Sequence, residues 1–293
     1  MASTVPHTTL FSVNGLTFPA LVAGPEGGPV VLCLHGFPDT RHGFFPASGP
    51  STGAALAAAG FRVVAPAMRG TEPECIPADG DYTPDALASD VLAFVAALGG
   101  RVALVGNDWG AFATYLAAAR APHQISHAVT LGIPHPRAAR WGPRLLWAAR
   151  HMIVFQLRGH AARALRKNDF AKLDELYTRW SPSWQRAPDA LAEVKNAFRK
   201  PGVVEAAIGP YAALRRHLRA VMRELRTPIQ VPTLALFGGA DPSVPATFYE
   251  QAREHFAAAY RWESLPGVGH FVHREDPAGV AAHVLAFLKE PSK

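Results

Sequence analysis

The chain is 293 residues long, 49% hydrophobic and 18% charged, with mean hydropathy +0.05, enough apolar material for a packed core and unlike a disordered composition. Two cysteines are too few for a disulfide framework or a zinc ribbon, and no stretch approaches the ~18 apolar residues of a membrane span. The net charge of +6 and pI of 9.6 would suit a nucleic-acid partner if the excess formed a patch.

The excess sits on one segment instead. Residues 134–226 carry 19 Lys/Arg against 7 Asp/Glu, a net +12, and the rest of the chain is at −6. The arginines alternate with Leu, Ala and Trp at helical spacing and no nucleic-acid motif accompanies them, the pattern of a solvated helix face. Met1 to Leu10 has no basic patch followed by an apolar run, so a cytoplasmic protein is expected. Neither a nucleic-acid nor a membrane partner is expected, and oligomeric state is not readable.

In chain order, Thr8 to Val22 with Asn14-Gly15 at its centre predicts an antiparallel hairpin at a sheet edge. Short apolar runs bounded by Gly and Pro follow at Pro29 to Leu34, Phe61 to Ala65, Arg101 to Val105, His127 to Leu131, Thr233 to Phe237 and Tyr260 to Leu265. Their near-continuous apolarity marks strands covered on both faces. Helices are expected over about Pro84 to Leu98, Gly110 to Arg120, Ala246 to Phe256 and Pro277 to Lys289, two of them opening on proline. The alternation predicts an α/β architecture with a mostly parallel sheet. Between Leu131 and Leu234 the strand rhythm stops, and an inserted helical unit is placed at 134–226, with 1–133 and 227–293 forming the core.

Four strand ends carry chemistry. Val102 to Gly106 runs through Asn107-Asp108-Trp109 into Gly110-Ala111, a tight strand-to-helix turn with glycines on both sides of the central residue, resembling a nucleophile elbow. Here the central side chain is Asp, which needs no base to become nucleophilic and suits attack at saturated carbon. A helix-capping Asp is the plainer alternative. A formal Gly49-x-Ser51-x-Gly53 follows a Pro-rich loop rather than a strand and reads as a chance match. His35-Gly36-Phe37-Pro38-Asp39 ends another strand, a turn able to aim the Phe37 N–H at the elbow and, with the Trp109 N–H, build an oxyanion hole. Asp241 and His270 follow the last two strands, completing the chain order nucleophile, acid, base.

Together these residues resemble the epoxide hydrolase and haloalkane dehalogenase branch of the α/β-hydrolase superfamily. The resemblance implies an α/β-hydrolase fold with a helical cap, and an enzyme that opens an epoxide to a vicinal diol. It assigns Asp108 as nucleophile, Asp241 as acid, His270 as base, and Phe37 and Trp109 as oxyanion donors. Ile208-Gly-Pro-Tyr211 resembles the stretch holding one ring-opening tyrosine. His151-Met152-Ile-Val-Phe155-Gln156 resembles the stretch holding the other, with His where Tyr is usual. Tyr177 is the alternative partner, and Tyr177, Phe155 and Met152 are candidate substrate contacts. The implied partner is a small apolar epoxide, without cofactor or metal. The loop Thr71-Glu-Pro-Glu-Cys75 departs from the family pattern.

Two other readings stay open. A haloalkane or haloacid dehalogenase would use the same Asp108 ester. It would also need a second halide donor, where this chain has Phe37, or arginines beside the nucleophile, where it has Trp109 and Phe112. A non-catalytic ligand-binding protein on the same fold would be expected to have lost part of the triad.

Overall fold

The computed structural model describes residues 3–139, 142 and 150–290. The expected hairpin forms from β1 (His7–Val13) and β2 (Leu16–Ala23), paired antiparallel from His7↔Val22 to Val13↔Leu16. Its turn uses Asn14 at φ 48° and Gly15 at φ 73°, the two left-handed residues of a tight hairpin turn.

Then come β3 (Val30–Leu34), β4 (Arg62–Pro66), β5 (Val102–Asn107), β6 (Ile125–Leu131), β7 (Thr233–Gly238) and β8 (Tyr260–Leu265). The strand order is β1-β2-β4-β3-β5-β6-β7-β8; β2 runs antiparallel to β4, and β3 through β8 are mutually parallel. All six expected parallel strands are present. β3 through β7 lie between two apolar layers, which explains their mainly apolar runs, whereas β8, expected to be covered on both faces, is the edge strand and exposes Arg261 through Ser264.

One layer packs under the helices Pro84–Ala97 and Trp109–Arg120. The other packs against Pro277–Leu288 and a helix the sequence did not suggest, Thr52–Ala58. Ser51 caps that helix, accepting from the Ala54 N–H at 3.0 Å while its hydroxyl donates to the Phe44 carbonyl at 2.7 Å. The serine of the formal motif is therefore a helix cap. The expected helix from Ala246 ends at Gln251 and tightens to a 3₁₀ turn over Ala252–His255.

Between β6 and β7 the described residues form helices and no strand. In Ala171–Trp180 the buried positions Leu173, Leu176, Tyr177 and Trp180 recur three and four apart, one apolar stripe pressed onto the rest of the molecule. Gly209–Glu224 buries Pro210 and Tyr211 at its start and leaves most of its arginine-bearing length partly or fully exposed. Trp141 and Trp147, two further apolar residues of the inserted segment, lie outside the described residues. The Thr71 to Cys75 loop now has a physical account: Glu72, 3% exposed, accepts from both Arg41 and Lys200, tying a core loop to the inserted helices. No helix among the described residues is long and apolar enough to cross a membrane.

Candidate active site

Parallel strands place their C-terminal ends at one edge of the sheet, and β3, β5, β7 and β8 deliver Phe37, Asp108, Asp241 and His270 there. Asp108 sits at φ 50°, ψ −115°, a conformation rare for a residue with a side chain. The turn closes only because its flanks are bare: a Cβ on Gly106 would lie 2.3 Å from the Gly110 carbonyl oxygen, and one on Gly110 would lie 2.1 Å from that of Leu34. The carboxylate is thereby thrust clear of the sheet. Asp108 makes no side-chain cap to its helix, so the capping alternative fails.

Its two oxygens have different neighbours. Oδ1 accepts from the Phe37 N–H at 2.9 Å, and Oδ2 lies 3.6 Å from His270 Nε2. On the far side of the imidazole, His270 Nδ1 is 2.9 Å from Asp241 Oδ2. Asp241 Oδ1 accepts from the Ser243 N–H at 2.7 Å and from its hydroxyl. Burial works against charging His270, but the Asp241 and Asp108 carboxylates outweigh it and raise its pKa from 6.5 to about 10. Near neutrality the imidazole is protonated between two carboxylates.

Above Asp108 lies a cavity of about 200 Å³, bordered by Trp109, Phe112, Met152, Trp180, Tyr211 and His151. Its walls are mainly apolar, and no Arg or Lys lines it among the described residues. The buried Tyr211 hydroxyl donates to no described residue, and the Trp109 ring, whose indole N–H can only donate, meets its ring edge-on at 5.1 Å. Burial and the nearby Asp108 charge raise the Tyr211 pKa well above 10, so it keeps its proton. The His151 ring is 5.7 Å from that of Tyr211 and 4.8 Å from that of Trp180. Asp108, His270, Asp241, Tyr211, His151, Phe37 and Trp109 are therefore gathered in one place.

Two expected substrate contacts are corrected. Tyr177 does not line the cavity: its ring stacks on Phe271 at 4.0 Å, and its hydroxyl donates to the Pro38 carbonyl at 2.7 Å and accepts from Arg274 at 3.2 Å. That hydroxyl is fully used in holding the fold. Phe155 sits one layer back, its ring 4.9 Å from Tyr211 and 5.2 Å from Phe37. Met152 does line the cavity.

The chain matches the family model described as the alpha/beta hydrolase fold over residues 29–277. It belongs to the α/β-hydrolase fold family. Among curated relatives, this α/β hydrolase is 27% identical over 288 residues to AB hydrolase superfamily protein YfhM of Bacillus subtilis, covering 95% of this chain and 96% of that one. It is also 27% identical to Epoxide hydrolase A of Mycobacterium tuberculosis, covering 97% of both chains. The crystal structure of Epoxide Hydrolase A from Mycobacterium thermoresistibile superposes with TM-score 0.82 at 24% identity, over 98% of this chain and 99% of that one, a likeness of fold.

Sequence reasoning missed Ser243, which orients the Asp241 carboxylate, although Asp-Pro-Ser is a recognisable turn in which an aspartate accepts from the residue two on. It also missed Asn107, whose amide donates to the Leu131 carbonyl at 3.2 Å and the His270 carbonyl at 3.3 Å. His35 is buried and neutral: its Nε2 accepts from the Met68 N–H at 3.1 Å, and burial lowers its pKa, so it braces the turn that aims Phe37. His273 turns away from His270 to Asp39, 3.1 Å away. Among the described residues no group of three or more His, Cys, Asp or Glu could hold a metal ion.

Proposed function

We propose that this α/β hydrolase converts a neutral, apolar epoxide to a vicinal diol through an ester on Asp108, with residues 134–226 acting as the cap over the site. The observation that carries the reading is an aspartate at the elbow with one oxygen held by the Phe37 N–H and the other facing His270, in a cavity also lined by a protonated tyrosine whose hydroxyl donates to no described residue. Relatives named epoxide hydrolases, aligned over nearly the whole chain, support it.

The chemistry runs in two halves. Asp108 Oδ2 attacks an epoxide carbon, the carbon–oxygen bond breaks, and the departing oxygen takes the Tyr211 proton while His151 offers a second hydrogen bond. An unprotonated alkoxide would leave poorly, which is why a donor is needed there. Esterification also removes the Asp108 charge, one of the two carboxylates that keep His270 protonated. The imidazolium then gives its proton, through solvent, to the tyrosinate, and neutral His270 is ready as a base when the ester exists. Water attacks the ester carbonyl carbon and passes a proton to His270. The Phe37 N–H and the Trp109 N–H, which as the first in its helix has no intrahelical acceptor, stabilise the oxyanion on Oδ1. Collapse releases the diol and restores the carboxylate–imidazolium pair.

A haloacid substrate is disfavoured because no Arg or Lys lines the cavity among the described residues. A haloalkane remains the runner-up, since it needs the same Asp108, but it gives Tyr211 nothing to protonate. A non-catalytic role leaves the three aligned side chains without purpose. The test is parallel turnover of styrene oxide, a bromoalkane, fluoroacetate and p-nitrophenyl butyrate, with intact-mass spectrometry of His270→Gln. We expect diol from styrene oxide and an adduct on Asp108 that accumulates in the variant. An unlabelled Asp108, or bromide release without diol formation, refutes the epoxide reading.

A further inference from the structure

The catalytic histidine stands on a three-residue loop, Gly269 to Phe271, whose three N–H groups each donate to one of two side chains that do not line the cavity. Glu275 Oε2 accepts from the Gly269 N–H at 2.7 Å. Its Oε1 accepts from the Phe271 N–H at 3.0 Å and from the Ser181 hydroxyl at 2.5 Å. The same Ser181 oxygen accepts from the His270 N–H at 3.0 Å, beside the Trp180 carbonyl at 3.1 Å. The Asn107 amide donates to the His270 carbonyl at 3.3 Å.

We propose that Glu275 and Ser181 form a clamp that positions His270 for the water-activating half of the reaction, and that through Ser181 the inserted helices fix the geometry of the base. The inference rests on the two-step ester reading above. Three donors converge on the two Glu275 oxygens, so a carboxylate is chemically required there. A glutamine would turn its N–H₂ toward either Gly269 or the Ser181 and Phe271 pair and leave donors facing donors.

Ser181 also closes the helix Ala171–Trp180, whose Trp180 ring lies 5.5 Å from the His270 ring and borders the cavity. The loop is fitted to that serine: a Cβ on Gly269 would come within 2.4 Å of the Ser181 Cα. Glu275 and Ser181 touch neither Asp108 nor Tyr211, so they bear on the base and not on the nucleophile.

The two halves of the reaction separate the consequences. Asp108 attacks without help from a base, so a clamp defect leaves ester formation near normal and slows ester hydrolysis. Misplacing a reacting group by about an ångström costs on the order of 10²-fold. In single turnovers of styrene oxide, Glu275→Gln is expected to slow hydrolysis ~30-fold or more with ester formation within ~3-fold, and Ser181→Ala to slow it ~10-fold.

Titration of the His270 imidazole by NMR in the free protein gives a readout independent of substrate. Its pKa of about 10 depends on the distances to Asp108 and Asp241, and should fall in Ser181→Ala, which changes no charge, and further in Glu275→Gln, which also removes a carboxylate that interacts with His270. An unchanged titration together with unchanged partitioning overturns the proposal, as does an equal loss of both half-reactions with a normal His270 titration. If the NMR shift appears but wild type never forms an ester on Asp108, the clamp stands and the epoxide reading falls. If Glu275→Gln does not fold, the same outcomes are read from Ser181→Ala.

Discussion

Asp108 and Tyr211 border the same cavity but reach it by different routes. Asp108 is fixed by a central strand, a tight turn and glycines that admit no side chain, so little besides the carboxylate can vary. Tyr211 is the third residue of a helix that packs on the core through Pro210 and Tyr211 and otherwise faces outward. The sheet edge supplies reactive groups whose positions follow from the backbone. The inserted helices supply groups whose positions follow from side-chain packing across long stretches of chain. A substitution at the edge should break the chemistry outright; one in the insert should grade it.

The largest graded effect falls on the donor pair. On the proposed mechanism Tyr211→Phe and His151→Phe should each slow ester formation on the order of 10²-fold, and the double variant considerably more, because each would remove a donor to the developing negative charge. Hydrolysis of an ester already formed should change little. Rapid-quench mass spectrometry of Asp108 measures both steps. Near-normal alkylation in the double variant would move the site toward a halide leaving group, which departs without a proton.

This contrast also sets what was legible in the sequence. The sheet strands, the hairpin and the convergence of Asp108, Asp241 and His270 were readable because each rests on local signals: an apolar run, a glycine pair, a turn at a strand end. The helix Thr52–Ala58 was not, since its seven residues include a glycine and follow a Pro-rich loop, and its cap serine sits inside a misleading motif. Tyr177 and Tyr211 looked alike in sequence. What separates them is a partner 139 residues away: Tyr177 donates to Pro38 and Tyr211 donates to no described residue. The Ser181 bond to Glu275 spans 94 residues and leaves no local trace.

A smaller effect tests the electrostatics of the edge. The folded pKa of His270, about 10, lies above its ordinary 6.5. A group raised in this way contributes stability that is complete below about pH 6.5 and is lost as pH rises through about 10. Wild-type thermal stability should therefore decline across that window, and His270→Gln should flatten the decline, the difference amounting to ~a few degrees. Asp241→Asn removes the stronger of the two carboxylate contributions and should lower the His270 midpoint, which NMR would follow directly. A His270 midpoint near 6.5 in wild type would mean that the carboxylates do not outweigh burial.

The smallest expected effect on rate is the sharpest test of the comparison, because one chemical change is made at two tyrosines. Tyr177→Phe keeps the ring stacked on Phe271 and removes a hydroxyl that donates to the Pro38 carbonyl at 2.7 Å. Arg274 retains Asp39 at 2.8 Å and the Ala190 carbonyl at 2.5 Å, so the group left without its donor is the buried Pro38 carbonyl. Stranding a buried acceptor costs about 1 to 3 kcal/mol, and ester formation should stay within about 3-fold of wild type because the lost hydroxyl never faced the substrate. Tyr211→Phe should do the reverse. Its hydroxyl donates to no described residue, so removing it should leave stability nearly unchanged, while ester formation slows on the order of 10²-fold. Denaturant melts paired with single-turnover kinetics read both axes. If Tyr177→Phe slows ester formation as much as Tyr211→Phe does, Tyr177 works on the substrate after all, and His151 loses its place as the second donor.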